Sequence, residues 1–301
     1  MVHGRRPFPF PTFRTHLYLS PRYWNRYPGA QCDIESYIYM PLLEELDYVP
    51  IEKYTRAKEL LAHAKAIGHK FDLYSRTLFQ TEAHDMKWDD ATSRWSVSTS
   101  RNDKIRSRFV VPAAGPLHRP KLPGLPGIES FKGHAFHSSR FDYDYTGGDP
   151  SGNLHKLSDK RVGIIGTGAT AVQIVPHLGA SAKKLFVFQR TPSSIDFRNN
   201  RPTDLEWKAG LQNGWQQERM DNFNVVVNGG FHDKGDLVAD GWTDIIRNLL
   251  ARPEKWQEMD PGELAAKMQL ADYRKMEGVR RRIDEVVRDR ETAESLKPWV
   301  S

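Results

Sequence analysis

One stretch of this chain, Arg161 to Phe188, limits its fold more than any other. Arg161 to Ile165 reads as a short apolar strand, Gly166-Thr167-Gly168-Ala169-Thr170-Ala171 follows, the pattern then predicts a helix from Ala169 to about Leu178, and Lys184 to Phe188 is a second strand. This is the GxGxxG/A pattern in the setting it needs, with a strand before and a helix after. Gly166 permits the tight turn, Gly168 lets the backbone come close to a pyrophosphate, and Ala171 is small enough for the helix to pack on the strand. The helix N-terminus offers N–H groups and a partial positive charge to phosphates.

The end of the second strand sharpens the reading. A site for NAD or FAD places an acid there, where it binds a ribose 2′-hydroxyl. This chain has Gln189-Arg190-Thr191 instead. A guanidinium in place of a carboxylate suits a 2′-phosphate, so the spacing selects NADPH over NADH. A βαβ turn without a ligand is the alternative at this point.

The surroundings predict an α/β chain. Glu52 to Ile67 has helical character. Thr77 to Met86, Arg94 to Thr99 and Ile105 to Pro112 read as three antiparallel strands, a β-meander running into Ala113-Ala114-Gly115. Pro116 to Pro126 holds four prolines, which exclude a helix or a central strand, and forms a stiff crossover. From Pro202 onward the pattern is helical, over Asp204–Asn222, Gly241–Ala251, Pro261–Lys275 and Val279–Leu296, with Pro261 placed for a first helical turn.

Composition removes other classes. Net charge is +6, but the bases are interleaved with acids and no aromatic-plus-basic signature accompanies them, so a nucleic-acid partner is not expected. The single cysteine, Cys32, excludes an intrachain disulfide and a cysteine-rich metal site, which fits a reducing, cytoplasmic setting; no metal ligand set is expected. No apolar run reaches the roughly 18 residues of a membrane span. Residues 1–22 carry arginines and prolines without an acid and read as an atypical or disordered leader; a transit peptide would have the same charge pattern, but the prolines oppose its helix. A hydrophobic fraction of 39% is low for this length and leaves room for apolar surface that expects a partner segment.

Phe131-Lys132-Gly133-His134-Ala135-Phe136-His137-Ser138-Ser139-Arg140-Phe141-Asp142 reads FxGxxxHxxxFD. It resembles the fingerprint of the Baeyer–Villiger flavoprotein monooxygenases. Ala113-Ala114-Gly115 is similar to that family's ATG motif, the Tyr23-to-Asp33 block to the segment after its first Rossmann helix, and Phe188-Gln189-Arg190-Thr191-Pro192 to its NADPH-phosphate segment. The resemblance covers about Tyr23 to Val300. It implies a Rossmann-like NADPH domain with linker (116–199), a partial FAD-binding domain whose remnant is the β-meander (23–115), and a helical insertion (200–301). It also implies a reaction in which NADPH reduces FAD, the reduced flavin takes up O2, and oxygen is inserted beside a ketone carbonyl.

The resemblance assigns residues as well. Tyr23, Trp24, Asp33 and Tyr39 would line the flavin side, and Gln31, Cys32 and Asp33 would lie near the nicotinamide. Thr167, Gly168, Ala169, Thr170, Ala171 and Gln173 would hold the pyrophosphate, and Arg190 and Thr191 the 2′-phosphate. Asp33 and His137 are the catalytic candidates, His137 as part of the linker that couples domain movement to turnover. Taken singly, His137 reads as a packed or surface histidine, Trp24 and Tyr39 as core aromatics, and Asp33 as a loop carboxylate.

Two departures stand beside the matches. The family's first strand and glycine turn, which bind FAD, have no counterpart before Tyr23, and the active-site arginine has none before Ser301; Arg280, Arg281 and Arg282 do not match its motif. The expectation is therefore a chain lacking both ends of the family fold and weak or inactive by itself. Phe141 in place of tryptophan keeps an N- or S-oxygenating flavin monooxygenase open, and a non-catalytic NADPH-binding remnant is the reading from another class.

Overall fold

A computed structural model describes residues 12–13, 25–113, 120–230, 232–244 and 260–299. In chain order the elements are β1 (Thr12–Phe13), α1 (Ser36–Tyr39), α2 (Ala57–Lys70), β2 (Thr77–Leu78), β3 (Ala83–Asp89), β4 (Arg94–Thr99), β5 (Lys104–Ser107), α3 (Tyr143–Thr146), β6 (Arg161–Ile165), α4 (Ala169–Ser181), β7 (Lys184–Phe188), α5 (Leu205–Ala209), α6 (Trp215–Val227), α7 (Pro261–Val286) and α8 (Arg290–Leu296). The chain divides into two compact units, one of residues 1–26 and 58–141, the other of residues 27–57 and 142–301.

In the first unit β3, β4 and β5 form the antiparallel meander expected from their alternation. Trp88 and Trp95 face each other across β3 and β4 with ring centroids 5.6 Å apart, and Val97 at the centre of β4 is buried. The strand expected over Thr77–Met86 is two strands: Gln80 adopts a left-handed φ of 52° and ends the run, so β2 pairs separately, in parallel with β1. That short strand lies within the stretch expected to be an unstructured leader. The third strand stops at Ser107, leaving Phe109 and Val111 exposed.

In the second unit β6 and β7 run parallel in the register Arg161↔Lys184 to Ile165↔Phe188, with α4 between them, which is the anticipated βαβ unit. Ala171, Ile174 and Leu178, spaced three and four apart, form the buried stripe of α4. Ile165, Val187 and Phe188 remain exposed, although parallel sheets are ordinarily covered on both faces.

The helical portion departs from the periodic reading in two places. Asp204–Asn222 is α5 and α6, separated by a turn in which Gly214 has φ +90°. Conversely, α7 passes without a break through Gly278, where the sequence suggested two helices. Asp204, Asp260 and Asp289 each cap a helix by accepting backbone N–H bonds. Met276, Val279 and Ile283 of α7 close a small core with Ala293 of α8. Of the helix expected over Gly241–Ala251, residues 245–251 lie outside the described residues. No helix among the described residues is long and apolar enough to cross a membrane.

Candidate functional site

The glycine turn is built by the end of β6 and the start of α4. Gly166 adopts φ +100°, which an L side chain resists, and its N–H donates to the Phe188 carbonyl at 2.8 Å. Gly168 is different. Its φ of −71° and ψ of −177° are open to any residue, and a Cβ placed on it would meet nothing within 4 Å. Neither its backbone angles nor any described neighbour requires a glycine there, so the space above it is open to another molecule. The first bond of α4 runs from Val172 N to Gly168 O at 3.1 Å, so the N–H groups of residues 169–171 have no partner within the helix. The cradle thus fits a pyrophosphate.

At the end of β7, Arg190 and Thr191 are exposed. Gln189 beside them donates to the Ser295 carbonyl of α8 at 2.6 Å. Thr167 in the turn bonds to the Thr191 carbonyl at 3.4 Å and accepts from the Ser193 hydroxyl at 3.0 Å. Ser193 was not singled out by the motif; a hydroxyl just beyond the second strand was the available signal.

The segment carrying Gln31, Cys32 and Asp33 is attached to the same helix. The Gln173 side chain accepts from Gln31 N at 3.1 Å, so its amide oxygen holds protein backbone beside the turn. Gly29 turns the chain at φ +78° against Gln173 and His177. Cys32 is fully buried, its N–H bonded to Thr55 O at 2.9 Å. Asp33 stays about half exposed; Arg198 pairs with its carboxylate at 2.6 Å and also bonds its carbonyl, to which the Trp242 indole donates at 3.2 Å. Tyr39 is 45% exposed.

Two residues beyond Asp33 lies a charge cluster that sequence reasoning missed. Glu35 is wholly buried and receives the Arg219 guanidinium of α6 on both oxygens, with the Lys53 ammonium 4.0 Å away. Lys53 also donates to Val238 O at 2.6 Å, and Arg219 to Leu237 O at 2.7 Å. Burial raises the Glu35 carboxyl above the ordinary range against the opposing pull of Arg219, and burial lowers Lys53. The partners come from segments far apart in sequence, so no local pattern announces them. The cluster fixes the backbone that bears Asp33.

The fingerprint is divided between the two units. His137 belongs to the first unit, where its Nδ1 accepts from Ser139 N at 3.1 Å and lies 2.8 Å from the Ser139 hydroxyl. Asp142, the last residue of the fingerprint, belongs to the second unit and caps α3 by accepting from Tyr145 N at 2.9 Å. Tyr23, Trp24, Ala114 and Gly115 lie outside the described residues. Among the described residues no group of three or more His, Cys, Asp or Glu side chains is placed to hold a metal.

Comparison with known proteins follows the same lines. The chain is 55% identical over 280 residues to "Baeyer-Villiger monooxygenase ATR8" of Stachybotrys chlorohalonatus, covering 92% of this chain and 44% of that protein. Its fold is similar to that of a polycyclic ketone monooxygenase from Thermothelomyces thermophila, with a TM-score of 0.82, 40% identity, and coverage of 93% of this chain and 47% of that one. It is also similar to OTEMO, solved in complex with FAD and NADP, with a TM-score of 0.69, 27% identity, and coverage of 93% and 53%. The chain therefore spans about half the length of the relatives it matches. The signature of flavin-binding monooxygenase-like proteins matches residues 34–207, more than half of the chain. With the glycine turn, the arginine after β7 and this match in agreement, the chain belongs to the flavin-binding monooxygenase-like family.

Proposed function

We propose that this chain is the NADPH-binding portion of a Baeyer–Villiger monooxygenase that uses FAD, NADPH and O2 to oxygenate a ketone. The observation that carries the reading is Gly168, a glycine that neither its own backbone angles nor its neighbours require, at the mouth of a helix N-terminus. When bound, NADPH supplies a hydride to flavin, and the reduced flavin activates oxygen.

The residues of the chain bind and orient. The N–H groups at the start of α4 receive the pyrophosphate with the helix dipole behind them. Arg190 and Thr191, exposed at the end of β7, receive the 2′-phosphate, for which a guanidinium is suited by geometry and charge. Gln173 holds Gln31, and through it the Asp33 segment, against the nucleotide helix on the nicotinamide side. Asp33, kept in place by Arg198, presents a carboxylate there, and Tyr39 lies on the flavin side. His137 serves as a hinge-side residue of the linker. The names of the relatives, a polycyclic ketone monooxygenase among them, support a ketone as substrate.

Calorimetric titration of the purified chain with NADP+ and NAD+ tests the binding half of the proposal. Tighter binding of NADP+ is expected, and Arg190→Ala should weaken NADP+ at least about tenfold while leaving NAD+ nearly unchanged, since a charge-assisted contact is lost. Equal affinities for the two dinucleotides, or an Arg190→Ala variant that binds NADP+ as the parent does, would refute it. The flavin half is read from the visible spectrum after incubation with FAD and desalting: retained flavin bands mean that this portion holds FAD by itself, and a colourless protein means that it binds the nicotinamide dinucleotide at most.

A further inference from the structure

Ser193 belongs to none of the motifs that define the nucleotide site, yet its side chain joins the two phosphate-binding segments. Its hydroxyl donates to Thr167 Oγ1 at 3.0 Å, and the Thr167 hydroxyl donates onward to the Thr191 carbonyl at 3.4 Å. Each hydroxyl donates once, so the relay has a direction: from the segment after β7, to the glycine turn after β6, and back to the residue following Arg190. The Ser193–Thr167 bond is part-buried, where a hydrogen bond is electrostatically stronger than in water, and the Thr167–Thr191 bond is exposed.

The consequence concerns selectivity. In the dinucleotide the separation of the pyrophosphate and the 2′-phosphate is bounded by the ribose that joins them. The turn addresses the first and Arg190 the second. The nearest backbone tie between the two segments, Gly166 N to Phe188 O at 2.8 Å, lies before Arg190, and the relay lies after it. The backbone at Arg190 is thereby held from both sides, so little backbone ordering remains to be done when ligand arrives.

We infer that Ser193 is a specificity-determining residue that acts through Thr167: its hydroxyl positions the Arg190–Thr191 segment against the glycine turn, and the preference for a 2′-phosphorylated dinucleotide depends on it. The inference rests on reading residues 161–193 as the NADPH site. Calorimetric titrations of the full chain with NADP+ and with NAD+ test it on the parent, Ser193→Ala, Ser193→Thr, Thr167→Val and the Ser193→Ala/Thr167→Val double variant. Loss of one hydrogen bond predicts NADP+ binding about fivefold weaker in Ser193→Ala, with NAD+ binding and the melting temperature unchanged. Ser193→Thr should restore the preference. The double variant should show no smaller preference than Thr167→Val alone, because both changes break one relay. A parent that prefers NADP+ and a Ser193→Ala variant with the same preference would overturn the role of Ser193 alone, as would equal losses for both dinucleotides. A parent that binds neither dinucleotide would overturn the reading of the site itself.

Discussion

Substituting Gly29 by alanine separates the two reasons a chain keeps glycine. Residues 27–30 form a β-turn closed by Ala30 N to Tyr27 O at 3.3 Å, with Pro28 at the second position and Gly29 at the third, where φ is +78°. An alanine held in that region costs about 1 kcal/mol in backbone strain. Its Cβ would also stand 2.4 Å from the carbonyl oxygen of Gln173 and 2.7 Å from His177 Nε2. The first neighbour is helix backbone and cannot rotate away, so relief requires the turn to lift from α4, at about 1–3 kcal/mol. Lifting strains the bonds Gly29 N to Pro150 O at 3.0 Å and Gln31 N to Gln173 Oε1 at 3.1 Å, each worth about 1 kcal/mol. The sum is about 4–6 kcal/mol, a large part of the ~5–15 kcal/mol that holds an ordinary domain together. Urea unfolding followed by circular dichroism measures it, with Gly168→Ala as the internal comparison. Gly168 has an ordinary backbone and open space, so alanine there should cost no more than about 1 kcal/mol, the difference between glycine and alanine at a helix N-cap. A Gly29→Ala loss below about 1 kcal/mol, or equal losses at both positions, would refute the reasoning.

Three further outcomes follow from the same geometry. Gly168→Ala, though stable, should abolish saturable NADP+ binding in calorimetry, because its Cβ occupies the space left for a phosphate; undiminished binding would remove the ligand-based reason for that glycine. Glu35→Ala strands Arg219 and Lys53, whose side chains are only 15% and 9% exposed, and should cost about 3–5 kcal/mol by urea unfolding; adding Arg219→Met should recover part of the loss, and no recovery would argue against a stranded charge as the cause. Burial, with Arg56 adding to it, holds the His177 imidazole below its ordinary value of 6.5. The folded state therefore favours the neutral ring, and its contribution to stability is present above pH 6.5 and lost as pH falls through the lowered folded-state value. Unfolding midpoints measured from pH 7.5 down to 5 should fall, and His177→Gln should flatten that slope; parallel slopes would exclude His177 as the titrating group.

The βαβ unit was legible because each of its requirements is local. A strand of five residues, a turn needing a positive φ at Gly166, a helix whose Ala171, Ile174 and Leu178 share one face, and an arginine after the next strand all declare themselves within thirty residues. The meander was legible for the same reason, since period-two alternation in Arg94–Thr99 is a property of neighbours. Element boundaries were less so: Gly278 fails to end α7, because the packing of Met276, Val279 and Ile283 against Ala293 outweighs a glycine's weak helix propensity, whereas Gly214, with the same side chain, separates α5 from α6.

What tertiary structure alone decided is how the site is supported. That Gln173 holds Gln31, that Arg198 and Trp242 hold Asp33, and that Glu35 is neutralised by Arg219 are contacts between residues 142 to 209 positions apart. Such pairs leave no periodicity, because a carboxylate buried at one point of the chain constrains only the sign of its partner's charge, not that partner's place in the sequence. The sequence determined a glycine turn between strand and helix, an arginine where a ribose-binding acid would stand, and a family resemblance; folding decided which charges are buried, which glycines are crowded, and which hydroxyl joins the glycine turn to the segment after β7.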